Sequence, residues 1–528
     1  MSNYSNLPGV NTNVKDGQML ITEDNTTNSM LIIGEVKANK RVTDNLPEDA
    51  VLVRSEEELF ENYGRYFFEG QLNPLAAEWK VAKDAGVRNT YLLALKGDTV
   101  NERFVYLQDM MYNVVADYGF SHIILAGMYA DQDLYDLTLA DFKTEEGEEV
   151  DNENLEGMES YQTITGSKDA TTLTLGEGNA TVKLIVNDGQ EEHEVEATIV
   201  KKTTTPYDLI NHLTKEFKKA LSQIGLDIGF EMDIADGKVI IRSYYEVNLE
   251  GDEVLSALGI ELQKPEKKLF GNPARLLGDF AEQQTLESGT VIVYIGTQPV
   301  NTTDKKVIRR NVEYLSRRNN DISKHVQVVA GPQVGVNIPG SLRTQWLSGV
   351  THYATLVNSL AVQHAPTNQP LRNVNALRYN LSLRQLDSLT GNKYVTFRSK
   401  NNRIVVVDGV TTAPDIFAGL DIVHSDFRRL TTLRSTSYMV SAIREVTDPF
   451  IGRPNEFPTY NAMNTAVRGV INQSIDKGVI QDAVYSIKLG NNLDVASIDL
   501  TILPQFELRK IDVVIGLSNP QGFEAISQ

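Results

Sequence analysis

Met30-Leu31-Ile32-Ile33-Gly34 is an unbroken apolar run of strand length, the pattern of a strand buried on both faces. Downstream, Ser55 and Glu58 stand at capping-box spacing and predict a helix through Leu59 and Tyr63. Asn73-Pro74 opens a second helix, with proline in a tolerated first-turn position; Leu75, Trp79 and Ala82 share one face, and Gly86 stops it. Tyr91-Leu92-Leu93-Ala94-Leu95 and His122-Ile123-Ile124-Leu125-Ala126 are two further buried strands. Strands alternating with amphipathic helices predict an α/β layer.

The pattern changes near Asp136. Residues 141–159 are strongly acidic and turn-rich, and short alternating strands follow over 171–175, 180–186 and 193–200. A helix is expected over 207–222, with Leu209, Leu213, Phe217 and Leu221 at four-residue intervals, and then a strand over 237–241 after the Asp236-Gly237 turn. This reads as an α+β domain inserted into the α/β layer and projecting outward. The α/β pattern resumes near residue 266, with strands over 291–296 and 326–331, a helix over 345–363, and a strand pair over 394–397 and 403–408.

The last hundred or so residues predict a third unit. It has helices over 425–446 and 460–477, a break at Asp448-Pro449, and Gly478 as a C-cap. Strands are expected over 483–489, 496–503 and 510–517; Ile498, Leu500 and Ile502 alternate with Asp499 and Thr501, so one face is wet and one buried. Residues 1–28 read as an extended polar arm, and 518–528 as a loose tail.

The 528 residues carry a formal net charge of −20. A chain that wraps nucleic acid needs the opposite surplus, so direct nucleic-acid binding is not expected. There are no cysteines, which excludes disulfides and thiolate metal sites. The polar opening residues lack a basic stretch followed by an apolar core, so no signal peptide is expected, and no apolar run approaches the ~20 residues that span a bilayer, so neither is membrane insertion.

Catalytic chemistry finds little support. The seven histidines, His122, His193, His212, His325, His352, His364 and His424, show no metal-ligand spacing. There is no nucleophile elbow, P-loop or GxGxxG. The acidic run 145–156 lacks the ordered alternation and central glycine of a calcium loop and reads as a solvated linker. No catalytic residue, cofactor or metal is expected; an α/β enzyme with an inserted lid domain is the alternative from a different class. The ends are more informative. Both termini look extended, and a sheet edge left open near the C-terminus could accept a strand from another molecule. Two frayed tails would give the same pattern.

Several segments together resemble the tail sheath family of contractile phages and related bacteriocins. They are Leu7-Pro8-Gly9-Val10; Gly70-Gln71-Leu72-Asn73-Pro74-Leu75; Gly86-Val87-Arg88-Asn89-Thr90-Tyr91; and Ala365-Pro366-Thr367-Asn368 with Leu386-Asp387-Ser388-Leu389. The C-terminal stretch is the strongest: Asp426-Phe427-Arg428-Arg429, Pro449-Phe450-Ile451-Gly452, Gly478-Val479-Ile480, and the run from Ile502-Leu503-Pro504-Gln505-Phe506 to Ile511. In the insertion, Pro206-Tyr207-Asp208-Leu209-Ile210 and Leu255-Ser256-Ala257-Leu258-Gly259 are similar to decoration domains of some phage proteins.

The resemblance implies a non-enzymatic virion structural protein. Its partners would be copies of itself in stacked hexameric rings, a tail tube protein, and baseplate and tail terminator proteins. It would assemble in the host cytoplasm, contract by rigid-body repacking, and drive the tube through the target envelope during genome ejection. A bacteriocin or contractile injection system sheath has the same plan. The implied fold is a multidomain α/β and α+β chain: arm 1–28; α/β core 29–136 and 266–415; inserted outer α+β domain 137–265; inner C-terminal α+β domain 416–514; arm 515–528. Strand exchange would involve Val10, Val14, Met19 and Ile21 at one end and Ile511, Val513, Ile515 and Leu517 at the other. Tube-facing candidates are Arg428, Arg429, Asn464, Arg468 and Asn472, the last three on a polar helix stripe that is equally an ordinary solvated face.

Overall fold

The structure is a computed structural model that describes residues 29–137, 159–168, 178–187, 192–201, 206–222, 230–235, 237–243, 246–250, 266–287, 289–418, 421–454, 456–489 and 496–507. The fold is mixed α/β. Its centre is a seven-stranded sheet built from β1 (Ser29–Gly34), β2 (Val51–Leu52), β3 (Asn89–Ala94), β4 (His122–Tyr129), β5 (Ile292–Gly296), β6 (Val326–Val329) and β7 (Tyr394–Val395), in the order β2-β3-β1-β4-β5-β6-β7. All pairs are parallel except β2–β3. Parallel strands need crossovers, and helices supply them on both faces.

Successive residues of each strand therefore enter different cores. Met30 and Ile32 join one apolar cluster with Trp79, Tyr294 and Tyr353, while Leu31 and Ile33 join the other with Phe104, Leu277 and Leu315. The first face is covered by α1 (Glu56–Asn62) and α2 (Pro74–Asp84), the second by α3 (Val100–Asn113), α4 (Pro273–Glu287) and α5 (Lys305–Arg317). Further along, α6 (Val350–Ser359) joins the first face and α7 (Leu383–Gly391) the second.

A second layer system occupies the middle of the chain. Phe230–Ala235, Lys238–Ser243, Glu159–Thr165, Glu266–Gly271 and Leu134–Leu137 form a five-stranded sheet in that order, and Glu192–Lys201, Gly178–Asn187 and Glu246–Glu250 a three-stranded one. The helix Pro206–Ser222 packs Leu209, Leu213, Phe217 and Leu221 into their common core. Leu134–Leu137 and Glu266–Gly271, where the chain leaves and re-enters the central layer, pair antiparallel with each other.

Some elements differ from the sequence reading. The helix expected over 345–363 is a strand, Gln345–Leu347, followed by α6; between them Gly349 sits at φ 83°, where a Cβ would approach the Phe397 ring to 2.6 Å. The strand pair after 394 divides: β7 joins the central sheet, whereas β8 (Phe397–Lys400) pairs with β9 (Arg403–Val406). The helix expected from 425 begins as a 3-10 turn, Asp426–Arg428, and α8 (Leu430–Thr447) starts beyond the extended Arg429. At Ser55 half of the box forms as expected: its hydroxyl accepts from Glu58 N, but the Glu58 carboxylate accepts from Arg54 N. The strands expected over 171–175 and 510–517, and both arms, lie outside the described residues.

Candidate assembly surface

The C-terminal unit stands on α8 and α9 (Phe457–Asp476), closed by a ribbon of β10 (Ile480–Leu489) and β11 (Ala496–Pro504). Helix α9 buries Met463, Val467, Val470 and Ile471, and Gly478 ends it at φ 70°. The ribbon lays Tyr485, Ile487, Ile498, Leu500 and Ile502 against the helices. Lys477 Nζ donates to Tyr438 Oη at 2.7 Å and Tyr485 Oη to Asn464 Oδ1 at 2.7 Å, tying helix to helix and ribbon to helix.

The other face of the ribbon is unusual. Asp482, Val484, Ser486 and Lys488 line it on one strand, Ser497, Asp499, Thr501 and Leu503 on the other, all exposed. Val484 is 72 % exposed and Leu503 45 %, with Phe506 just beyond at 64 %. Scattered apolar surface is normal, but here Val484 and Leu503 share one face of the ribbon at neighbouring same-face register positions, with Phe506 following in the chain. Among the described residues β10 and β11 pair only with each other, so each presents one free row of backbone donors and acceptors. A two-stranded ribbon this long draws its stability from what it packs on.

Of the residues singled out in the sequence, Asn464, Arg468 and Asn472 lie exposed along α9. Arg428 and Arg429 are used by their own chain. Arg428 Nη2 donates to Gly391 O at 2.7 Å, and Arg429 Nη1 lies 2.8 Å from Asp408 Oδ2, a nearly buried carboxylate, and 3.8 Å from Glu507. Val10, Val14, Met19, Ile21, Ile511, Val513, Ile515 and Leu517 lie outside the described residues.

Sequence reasoning missed the polar groups buried inside the layers. Arg318 grips Asp133 with both terminal nitrogens, at 2.6 and 2.7 Å, and Asn272 Nδ2 adds a third bond at 2.7 Å. Burial pushes the Asp133 carboxyl up, but the Arg318 charge and bonds outweigh it and hold the group at about 2. Arg242, from the five-stranded sheet, sits close enough to add to that pull, so the cluster joins that sheet to the central layer. Glu78 on α2 is the reverse case: burial pushes it up to about 7, with the Thr351 hydroxyl pulling more weakly the other way. His122, His325 and His352 are held uncharged by burial, at about 3, 4 and 4. These residues are far apart in sequence, and no local pattern marks them.

Among the described residues no group of three or more His, Asp or Glu side chains could hold a metal ion, and no helix is long and apolar enough to cross a membrane. No family model and no curated protein matches the chain. Solved structures do. The anti-feeding prophage helical sheath in its contracted state is similar at a TM-score of 0.47 and 11% identity, over 97% of this chain and 99% of that one. The contracted sheath of the PVC extracellular contractile injection system gives 0.47 and 9%, over 98% and 100%. The sheath tail protein of Listeria innocua gives 0.38 and 11%, over 94% of each. No function passes from likeness at this level; the structural neighbours that cover nearly the whole chain are contractile sheath proteins.

Proposed function

We propose that this chain is the structural subunit of a contractile tail sheath, polymerising as stacked rings around a tail tube. The observation that carries the reading is the C-terminal ribbon, with edges unpaired among the described residues and with exposed Val484, Leu503 and Phe506. It is supported by the succession of sequence segments that resemble sheath proteins, four of them in the same unit. An open edge binds an extended segment through backbone hydrogen bonds, and apolar side chains on the adjoining face add affinity. Residues 1–28 and 508–528 supply segments of the required length. Strand donation between copies would keep subunits linked while they rotate and repack as rigid bodies. The exposed stripe of Asn464, Arg468 and Asn472 would meet the tube through polar contacts weak enough to break. The protein would act without catalysis, assembling in the host cell and working in the tail.

Negative-stain microscopy of the purified full-length protein tests this. Tubular polymers are expected, and deletion of residues 1–20 abolishes them while leaving a folded monomer. A wild-type protein that stays monomeric at all concentrations, with and without a tube protein, overturns the reading.

A further inference from the structure

The two ends of the central sheet carry opposite charge. At the β2 end, residues 40–69 hold eight carboxylates against four cations. Glu56 is shared with Lys80 at 3.7 Å, Glu48 with Lys96 at 3.6 Å, and Glu58 is occupied by Arg54 N, but Glu57 and Glu61, one turn apart on α1, are exposed and, among the described residues, in no ion pair. At the β7 end, α5 has five cations and one carboxylate, Glu313. Arg309 bonds Glu313 at 2.7 Å, and Arg309, Arg317 and Arg310 together pull its carboxyl below the usual range. Lys306 and Arg310, again one turn apart, are exposed and, among the described residues, in no ion pair.

Helix α7 packs on α5 through Ser388 and Ser316, and beside it α7 and β8 bound an open groove of about 410 Å³. Leu381, Leu383 and Leu386 line the groove, with Arg398 and Lys400 from β8, and Leu383 is 74 % exposed. This end thus sets the basic α5 beside a cleft lined by leucines and two cations.

Within one copy these ends cannot neutralise each other. Six strand intervals at ~4.8 Å put roughly 29 Å between β2 and β7, and the Debye length at physiological salt is about 8 Å. Copies with a net charge of −20 repel overall, so contact between them needs a local reversal of sign. We infer that the basic α5–α7 end of one copy docks the acidic α1 end of a second copy, head to tail. Such a contact is heterologous: it repeats from copy to copy and closes as a ring or continues as a helix. The inference rests on the proposed function only in taking another copy as the partner.

The test is a charge-swap cycle on the full-length chain, read by sedimentation velocity at low salt. Lys306→Glu/Arg310→Glu reverses one end and Glu57→Lys/Glu61→Lys the other. Each pair alone should raise the concentration needed for association about tenfold or more, and the combined quadruple variant should return to within about threefold of wild type. If either reversal disturbs the thermal melt, the milder Arg310→Gln and Glu61→Gln keep the cycle readable. Wild-type association indifferent to either reversal, a quadruple variant that fails to recover, or a wild-type chain that does not self-associate overturns the inference. Tubes that form regardless of these reversals remove this contact and leave the sheath reading standing. Pairing governed by the cycle without tubes does the opposite.

Discussion

The central sheet and the C-terminal ribbon are made of similar strands but differ in how much of each strand is used. In β1 every residue is buried and both edges are paired. In β10 and β11 one face is buried, the other is wet, and each strand has one partner among the described residues. The first arrangement satisfies its hydrogen bonds and apolar surface within a single chain. Among the described residues the second leaves part of both unused, as a surface that binds other molecules must. Damage to the sheet should therefore appear as loss of fold, and damage to the ribbon as loss of assembly with the fold intact.

The largest effect is expected at Trp79. It is fully buried on α2, and its indole N–H donates to Val53 O at 3.1 Å. Trp79→Ala removes a large apolar volume and strands that carbonyl, which should destabilise the monomer by about 3–5 kcal/mol in denaturant unfolding. A loss under about 1 kcal/mol would mean that the α2 face is not the closed core described.

Next comes the junction between the five-stranded sheet and the central layer. Asp133→Asn leaves Arg318 buried without its carboxylate, and a loss of about 3 kcal/mol is expected. Because the folded carboxyl is depressed to about 2 from 3.8, its contribution is complete above the unfolded value and fades as pH falls from about 4 towards 2. Acid unfolding between those values should be steeper in wild type than in the variant. Glu78 has the opposite sign. Its folded carboxyl is raised to about 7 from 4.5, so the folded state holds a proton that the unfolded state has released, and stability falls as pH rises through that window. Glu78→Gln should flatten the fall and stabilise the protein at pH 8 by roughly 1–3 kcal/mol; an unchanged slope between pH 5 and 7 would show that Glu78 is ionised in the fold.

The same contrast explains what could be read in advance. The central strands were legible because burial on both faces writes an unbroken apolar run, as at Met30–Ile33, and the ribbon because half-burial writes alternation, as at Ile498-Asp499-Leu500-Thr501-Ile502. The 345–363 stretch misled because its apolar residues fit helical spacing, while a left-handed Gly349 between strand and helix leaves no periodic trace. Asp133, Arg318 and Arg242 were invisible because the contact spans 185 residues between Asp133 and Arg318. The Arg429–Asp408 pair left no trace in the sequence, since nothing local predicts that Asp408 will be buried.

The smallest effect on the monomer is the most telling for function. Val484→Ser and Leu503→Ser change side chains that are 72 % and 45 % exposed, on the outward face of the ribbon. Neither touches the apolar cluster beneath, so each should shift monomer stability by less than about 0.5 kcal/mol. If that face is where a second chain lies, the pair of substitutions should nonetheless weaken polymer formation severalfold, measured as the concentration at which tubes appear. The opposite result, a destabilised monomer that still assembles at the wild-type concentration, would place these residues in the core of their own unit and remove the ribbon's claim to be an unfinished surface.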